Sequence, residues 1–353
     1  MNGLVRCPIC ADEYRWPDEP EIAVFNEETQ DYDFVNVAAM PPDKRADLAR
    51  GGYRLCPNPS QDTPPHFLPA TFADYGPPIV IGLVGAAHSG KTHLLTAMIR
   101  QAYLNGLSPY GVTVTALDFR RHENFRKQFV ETFERGGELA GTDVGVIEAA
   151  DILLLRGPGG ERPVAFFDVA GEDLESTNAR NRATRFLVGA TAVIFVHASE
   201  DAIDTGRSVA ASENQSFQLA VARLRDRGLP AAIAVAKSDR LRFVPPADRW
   251  LNRGDEQALD ADRIRAESRD VYAYLHHTGA GASLHPYEAF PRCTLHFVSA
   301  SGGDAVRYET PDGQVRGRFP HGFRPIRVLE PLVAILAMTG MLTDDQAKKV
   351  GTP

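Results

Sequence analysis

Three scarcities frame this 353-residue chain: long apolar runs, cysteines, and a surplus of basic charge. No apolar stretch approaches the ~20 residues that a membrane-spanning helix needs, so no membrane span is expected. The N-terminal MNGLVRC lacks the basic, apolar, small-residue order of a secretory signal, and the expected location is cytoplasmic. Lys and Arg number 38 against 46 Asp and Glu, leaving a net charge of -8. That balance counts against a general nucleic-acid coat, whose surface needs a basic field. Only four cysteines are present, two of them in a CxxC. In a chain with no export signal this points to metal or redox chemistry more than to a disulfide framework.

What the chain does contain begins with a Pro-, Asp- and Glu-rich segment, residues 1–68, carrying Cys7 and Cys10 as CPIC and Cys56 in LCPNP. Thiolates in a CxxC turn can share one tetrahedral ion with a second half-site. His66, in PPHFLP, is the best candidate for a fourth ligand, because Cys293 sits in an expected core strand. The pattern favours a small zinc-ribbon-like module, with Zn²⁺ held by Cys7, Cys10, Cys56 and His66; free or redox thiols and a site reduced to packing are the alternatives.

From Ile79 the character changes. IVIGLV is an apolar, β-rich run, and Gly85, Ala86, Ala87, His88, Ser89, Gly90, Lys91 and Thr92 follow as GAAHSGKT before helical spacing begins. This satisfies GxxxxGK[ST] in the strand, loop, helix context that the motif requires. Glycines let the loop wrap a phosphate with backbone N–H groups and the helix N-terminus aimed inward. Lys91 is expected to reach the β and γ phosphates, and Thr92 to ligate Mg²⁺.

Further on, GVTVTALD reads as a strand, Glu123 to Arg135 as a helix, and DILLL and PVAFFDV as two strands, the second ending in DVAGED. Asp168 at that strand tip is placed to hold Mg²⁺ through water, and Gly171 would let backbone approach the γ-phosphate. Thr142, in the loop Gly136 to Val146, is either a γ-phosphate sensor or an ordinary loop threonine. TAVIFVH and LPAAIAVA are buried strands, the latter running into Lys237, Ser238 and Asp239. AKSD reads as the guanine signature [NT]KxD, in which the carboxylate accepts from guanine N1 and N2; Ala236 stands where a bracing Asn or Thr is usual. Residues 240–290 form a helical insertion, with a helix from Asp260 to His277 whose charges are a solvated face. CTLHFVS ends in Ser299 and Ala300, matching an SA loop that closes on guanine. Gly302 to Gly322 reads as a surface hairpin or loop, Arg324 to Leu342 as a closing helix, and residues 343–353 as a frayed tail.

GAAHSGKT, DVAG, AKSD and SAS occur in the order of the translation-factor and Ras-like class of P-loop GTPases, spread over residues 78–342. More narrowly, the N-terminal CxxC with its later CP, the DVAGED form, FVSASGG and RVLEPLVAIL resemble the bacterial double-GTPase family. The resemblance implies an α/β, three-layer Ras-like fold with a mostly parallel sheet behind the zinc-ribbon-like module. It also implies GTP/GDP and Mg²⁺ as ligands, and a protein partner such as a second GTPase or a GTPase-activating protein. Carried over, phosphate binding falls on Gly85, Gly90 and Lys91, Mg²⁺ on Thr92 and Asp168, and guanine on Lys237, Asp239 and Ala300. Glu172 stands where Ras-like proteins keep a water-orienting Gln, and its charge opposes that of the transition state, so slow intrinsic hydrolysis is expected. Arg180, Arg182 and Arg185 follow this segment. The leading reading is a partner-regulated molecular switch. An ATP-driven enzyme whose zinc head contacts nucleic acid, and an interaction module stabilised by nucleotide without turnover, are the competing readings.

Overall fold

The architecture follows from where the chain places its unbroken apolar runs. In this computed structural model residues 4–17, 20–61, 63–139, 149–168, 189–199, 209–253, 258–309 and 315–352 are described. The N-terminal part contains β1 (Leu4–Arg6), β2 (Glu13–Arg15), β3 (Glu21–Asn26), β4 (Asp31–Asn36), α1 (Pro42–Gly51), β5 (Tyr53–Leu55) and β6 (Phe67–Pro69). β1 and β2 form a two-stranded ribbon, and the others a four-stranded sheet ordered β4-β3-β5-β6. The larger part begins with β7 (Ile79–Val84), α2 (Lys91–Gln101), β8 (Thr113–Ala116), α3 (Phe119–Phe125) and α4 (Glu131–Glu134). It continues with β9 (Ala149–Gly157), β10 (Gly160–Asp168), β11 (Ala192–Ala198), α5 (Val209–Leu224), β12 (Ala231–Ala236), α6 (Ala247–Leu251), α7 (Ala261–His277), α8 (His285–Ala289) and β13 (Cys293–Phe297). A hairpin, β14 (Val306–Glu309) and β15 (Val315–Arg318), then α9 (Glu330–Met338) and α10 (Asp345–Lys349), complete it.

Seven strands make one sheet in the order β13-β12-β11-β7-β10-β9-β8. β7 pairs in parallel with both β10 and β11, and β12 and β13 extend the parallel run, while β9 alone is reversed, pairing antiparallel with β10 on one side and with the edge strand β8 on the other. Every residue of β7, β11 and β12 is buried, as expected of central parallel strands covered on both faces. Ile79, Ile81 and Leu83 face a cluster with Leu94, Met98 and the apolar residues of α9, whereas Val80 and Val84 belong to the opposite cluster with Phe217, Trp250 and Leu275. The result is a sheet between two apolar layers, the α/β arrangement expected from the sequence. Chain order reverses at β7, whose neighbours lead to β10 on one side and β11 on the other. Such a reversal opens a crevice at the carboxyl ends of the strands, where ligands of open α/β sheets bind.

The N-terminal part is not a bead on a tether. Cys7, Cys10, Tyr14, Leu68 and Phe72 share one apolar cluster with Val80, Val84 and Val193 of the large sheet. Tyr53 Oη donates to Asp118 at 2.9 Å, and the Arg120 guanidinium lies 3.4 Å from the Phe25 ring centroid.

Two boundary expectations change. The closing helix starts at Glu330 and not at Arg324. Pro331 fits the first turn of a helix but not its interior, and the residues before it make other bonds: Ile326 exchanges backbone hydrogen bonds with Ser299 at 2.8 and 3.0 Å, and Arg327 reaches buried Glu267 at 2.7 Å. The frayed tail does not hold either. Asp344 caps α10 by accepting from Ala347 N, Ala347 and Val350 are buried, and Arg292 donates to the carbonyls of both. A capped turn with two buried apolar anchors has no reason to fray.

Candidate nucleotide-binding site

β7 delivers the chain to Gly85 at the carboxyl edge of the sheet, and α2 starts at Lys91. A Cβ at Gly85 would stand 2.5 Å from the Val196 carbonyl oxygen, so only glycine allows this approach of loop to β11. Gly90 has φ of +93°, a left-handed conformation that costs glycine little. Lys91 is buried, and its Nζ donates to the carbonyls of Gly85 and Ala86 at 2.9 and 2.8 Å. The ammonium is thus held inside the loop, at the positive end of α2. Thr92 Oγ1 donates to Asp168 Oδ2 at 2.6 Å, bringing a helix-start hydroxyl and a strand-tip carboxylate together across 76 residues. Hard oxygen donors of this kind fit Mg²⁺, which is bound through one or two protein oxygens plus water and phosphate.

At the end of β12, Lys237 adopts φ of 56° and Ser238 is anchored by its N–H on Val298 O at 3.1 Å and its Oγ on Val235 O at 2.6 Å. This anchoring turns Asp239 toward the SAS loop, where its Oδ1 accepts from Ser299 Oγ at 2.5 Å. Ser299 Oγ accepts in turn from Gly302 N at 2.9 Å. Ala236 cannot brace the loop, but Ser199 does: its Oγ lies 2.8 Å from the carbonyl oxygens of both Ala236 and Lys237. Ser199 was missed from sequence. Its only signal is that it ends a strand run, and that the run lies beside β12 is a fact of the sheet.

The two loops face one cavity of about 550 Å³. Ala87, His88, Gly90, Lys91, Thr92, Lys237, Asp239 and Ala300 line it, together with His93, Glu138, Arg240, Asp304, Arg307 and Phe319. Gly85, Ala86, Ser89, Asp168 and Ser299 do not line it; Gly85 and Ala86 bond Lys91, Asp168 bonds Thr92, and Ser299 bonds Asp239. His93 Nε2 accepts from Leu139 N at 3.1 Å, and burial, followed by the Lys237 charge, pushes its pKa down to about 4. The imidazole is therefore neutral and acts as a fixed acceptor. Thr142, Gly171, Glu172, Arg180, Arg182 and Arg185 lie outside the described residues.

The cysteines form a separate centre. Sulfurs of Cys7, Cys10 and Cys56 and a ring nitrogen of His66 all lie within 4.8 Å of one another. Cys10 Sγ and Cys56 Sγ are 3.8 Å apart, which matches the edge of a tetrahedron with Zn–S bonds of about 2.3 Å. Backbone N–H groups of Ile9 and Asn58 point at Cys7 and Cys56 sulfurs at 3.3 and 3.4 Å, and His66 Nδ1 lies 2.9 Å from Pro64 O, leaving Nε2 to face Cys7 at 3.2 Å. Burial pushes the Cys7 thiol up; Cys10 is raised to about 12, first by its bond to Cys56; and Cys56 is held far below an ordinary thiol by hydrogen bonds from Cys10 and Cys7. A dication held among the three sulfurs would favour the thiolate form of each. The donor set fits a structural zinc ion.

No family model matches the chain, and no curated protein matches it. Among solved structures it is similar to the bacterial selenocysteine-specific elongation factor EF-Sec, at 13% identity and a TM-score of 0.27, over 63% of this chain and 25% of that one. It is also similar to the signal recognition particle receptor SRb-GTP/SRX complex from Chaetomium thermophilum, at 14% identity and a TM-score of 0.34, over 65% of this chain and 94% of that one. The chain thus spans a quarter of the length of the elongation factor. Likenesses this slight carry no weight for function, which rests on the cavity.

Proposed function

We propose that the chain is a GTP-binding, slowly hydrolysing molecular switch that depends on Mg²⁺ and is read by a protein partner. One observation carries this reading: a phosphate loop holding Lys91 and a base loop holding Asp239 line the same 550 Å³ cavity. Lys91 holds the triphosphate and offsets its charge, while the loop N–H groups and the start of α2 orient it. Thr92 and Asp168 hold the Mg²⁺, which when bound neutralises charge on the β and γ phosphates. Asp239 selects guanine by accepting from N1 and N2, and Ser299 and Ser199 fix its approach. Glu172 and Thr142, by their sequence positions, are assigned to the attacking water and the γ-phosphate. A carboxylate near the water opposes developing negative charge, so turnover is slow until a partner supplies compensating charge. The zinc centre braces the N-terminal part, and the narrower motifs favour a role within a bacterial multi-protein GTPase system.

Calorimetry with unlabelled GTP and ATP tests the reading. GTP is expected to bind at least about 100-fold tighter, because adenine offers the Asp239 carboxylate no pair of donors to match guanine N1 and N2. Asp239→Asn should weaken GTP by about 100-fold and admit xanthosine triphosphate; equal binding of ATP and GTP by the wild type sinks the assignment.

A further inference from the structure

Beyond the phosphate and base loops, the cavity has a wall that no nucleotide motif announces. It is lined by Glu138, Leu139, Arg307 and Phe319, and it is built by docking the hairpin β14–β15 onto the strip Gly136–Leu139. Gly137 bridges Arg318, Phe319 N donates to Gly136 O at 2.7 Å, and Glu138 N donates to Gly317 O at 3.0 Å. The Phe319 ring packs edge-on against Phe133 and His93. The Glu138 carboxylate packs over Gly317, where an added Cβ would overlap it and push it aside. Arg307 Nη1 lies 3.4 Å from the same carboxylate.

Arg307 meets the Glu138 carboxylate at Oε2, and Oε1 can take a donor from a ligand in the cavity. Phosphates repel the carboxylate, and the guanine N1 and N2 protons belong to Asp239 in the reading above. The ribose hydroxyls are the donors left, and they sit between phosphate and base, as this wall meets a cavity bounded by both loops. Acidic side chains take ribose hydroxyls in dinucleotide folds by the same chemistry. We propose that Glu138 reads the ribose of the bound nucleotide, with Gly317 making room for its carboxylate and Arg307 as a positioning residue. The cavity therefore selects ribonucleotides over deoxyribonucleotides. This inference rests on the guanine reading of the site.

The test is calorimetry with unlabelled GTP and 2′-deoxy-GTP on the full chain, since ribose-attached labels would occupy the hydroxyls in question. Wild type is expected to bind GTP about tenfold tighter than the deoxy form, the size of one hydrogen bond to a charged group. Glu138→Ala should bring the ratio to about one by weakening GTP alone, and Arg307→Ala should shrink it. Gly317→Ala, which displaces the carboxylate without removing it, should collapse the ratio as well and serves if Glu138→Ala does not fold. A ratio near one in the wild type, or an unchanged ratio in Glu138→Ala or Gly317→Ala, overturns the ribose assignment while leaving GTP binding intact. Failure of wild type to bind either nucleotide overturns the guanine reading and this inference with it.

Discussion

Two of the molecule's clusters of polar side chains are built in opposite ways. At the cysteine cluster the three sulfurs are buried and, with the His66 nitrogen, point at one another within 4.8 Å, leaving no room for anything larger than an ion. At the candidate nucleotide site Lys91, Asp239, Glu138 and Arg307 line about 550 Å³ of space. A closed donor set is the mark of a structural centre, and an open one of a site that exchanges its ligand. The difference also separates consequences: disturbing the first should cost folding, and disturbing the second should cost binding.

The largest effect expected is therefore on stability. Cys7→Ser should reduce zinc from about one ion per chain to near none, and with it the N-terminal packing on Val80 and Val193, because metal binding in small zinc modules is worth on the order of 10 kcal/mol. Equal metal content in variant and wild type, measured by mass spectrometry of elements, would dissolve the contrast between the two centres. Next, Lys91→Ala should weaken GTP by about 100-fold, the loss of a charged group's bonds to phosphate, while leaving zinc and unfolding temperature close to wild type. A large fall in unfolding temperature instead would make the open site structural too.

A smaller, pH-dependent effect belongs to His93. Its folded pKa near 4 lies below the ordinary histidine value, so the unfolded chain binds the extra proton between about 6.5 and 4 while the folded one does not. Its contribution is fully present above pH 6.5 and is lost as pH falls toward 4, at no more than about 1.4 kcal/mol per pH unit. Urea unfolding at pH 7 and pH 5 reads this slope, and His93→Asn should flatten it; an unchanged slope would mean that His93 is not held neutral in the folded chain. Smallest is Ser199→Ala, which removes a brace and not a ligand contact: GTP affinity should drop about fivefold, near 1 kcal/mol, with GTP still preferred over ATP. No change at all would mean that the Ala236 loop needs no brace.

Legibility followed the range of the interactions. GAAHSGKT was readable because its parts are contiguous and its lysine bonds only five and six residues back. The central strands were readable because burial on both faces demands continuous apolar runs. CPIC, LCPNP and His66 could be proposed as a set, but His66 lies 59 residues from Cys7, and only the sheet ordered β4-β3-β5-β6 brings it there. The segment Gly302 to Gly322 was readable as a surface hairpin or loop and not as a cavity wall, since nothing in VRYE or VRGR records that Gly317 will meet Glu138.

The residues alone pointed to the GAAHSGKT loop, the buried strands, the carboxylate of AKSD and the cysteine set, because each depends on local backbone geometry or on side-chain chemistry carried by a short motif. The tertiary structure decided what those pieces face: that Ser199 substitutes for the missing side chain at Ala236, that Thr92 meets Asp168, that the C-terminal turn is anchored by Arg292, and that Glu138 and Arg307 enter the cavity. These contacts join segments tens to hundreds of residues apart, and which segments meet is set by strand order and layer packing, a property of the whole chain.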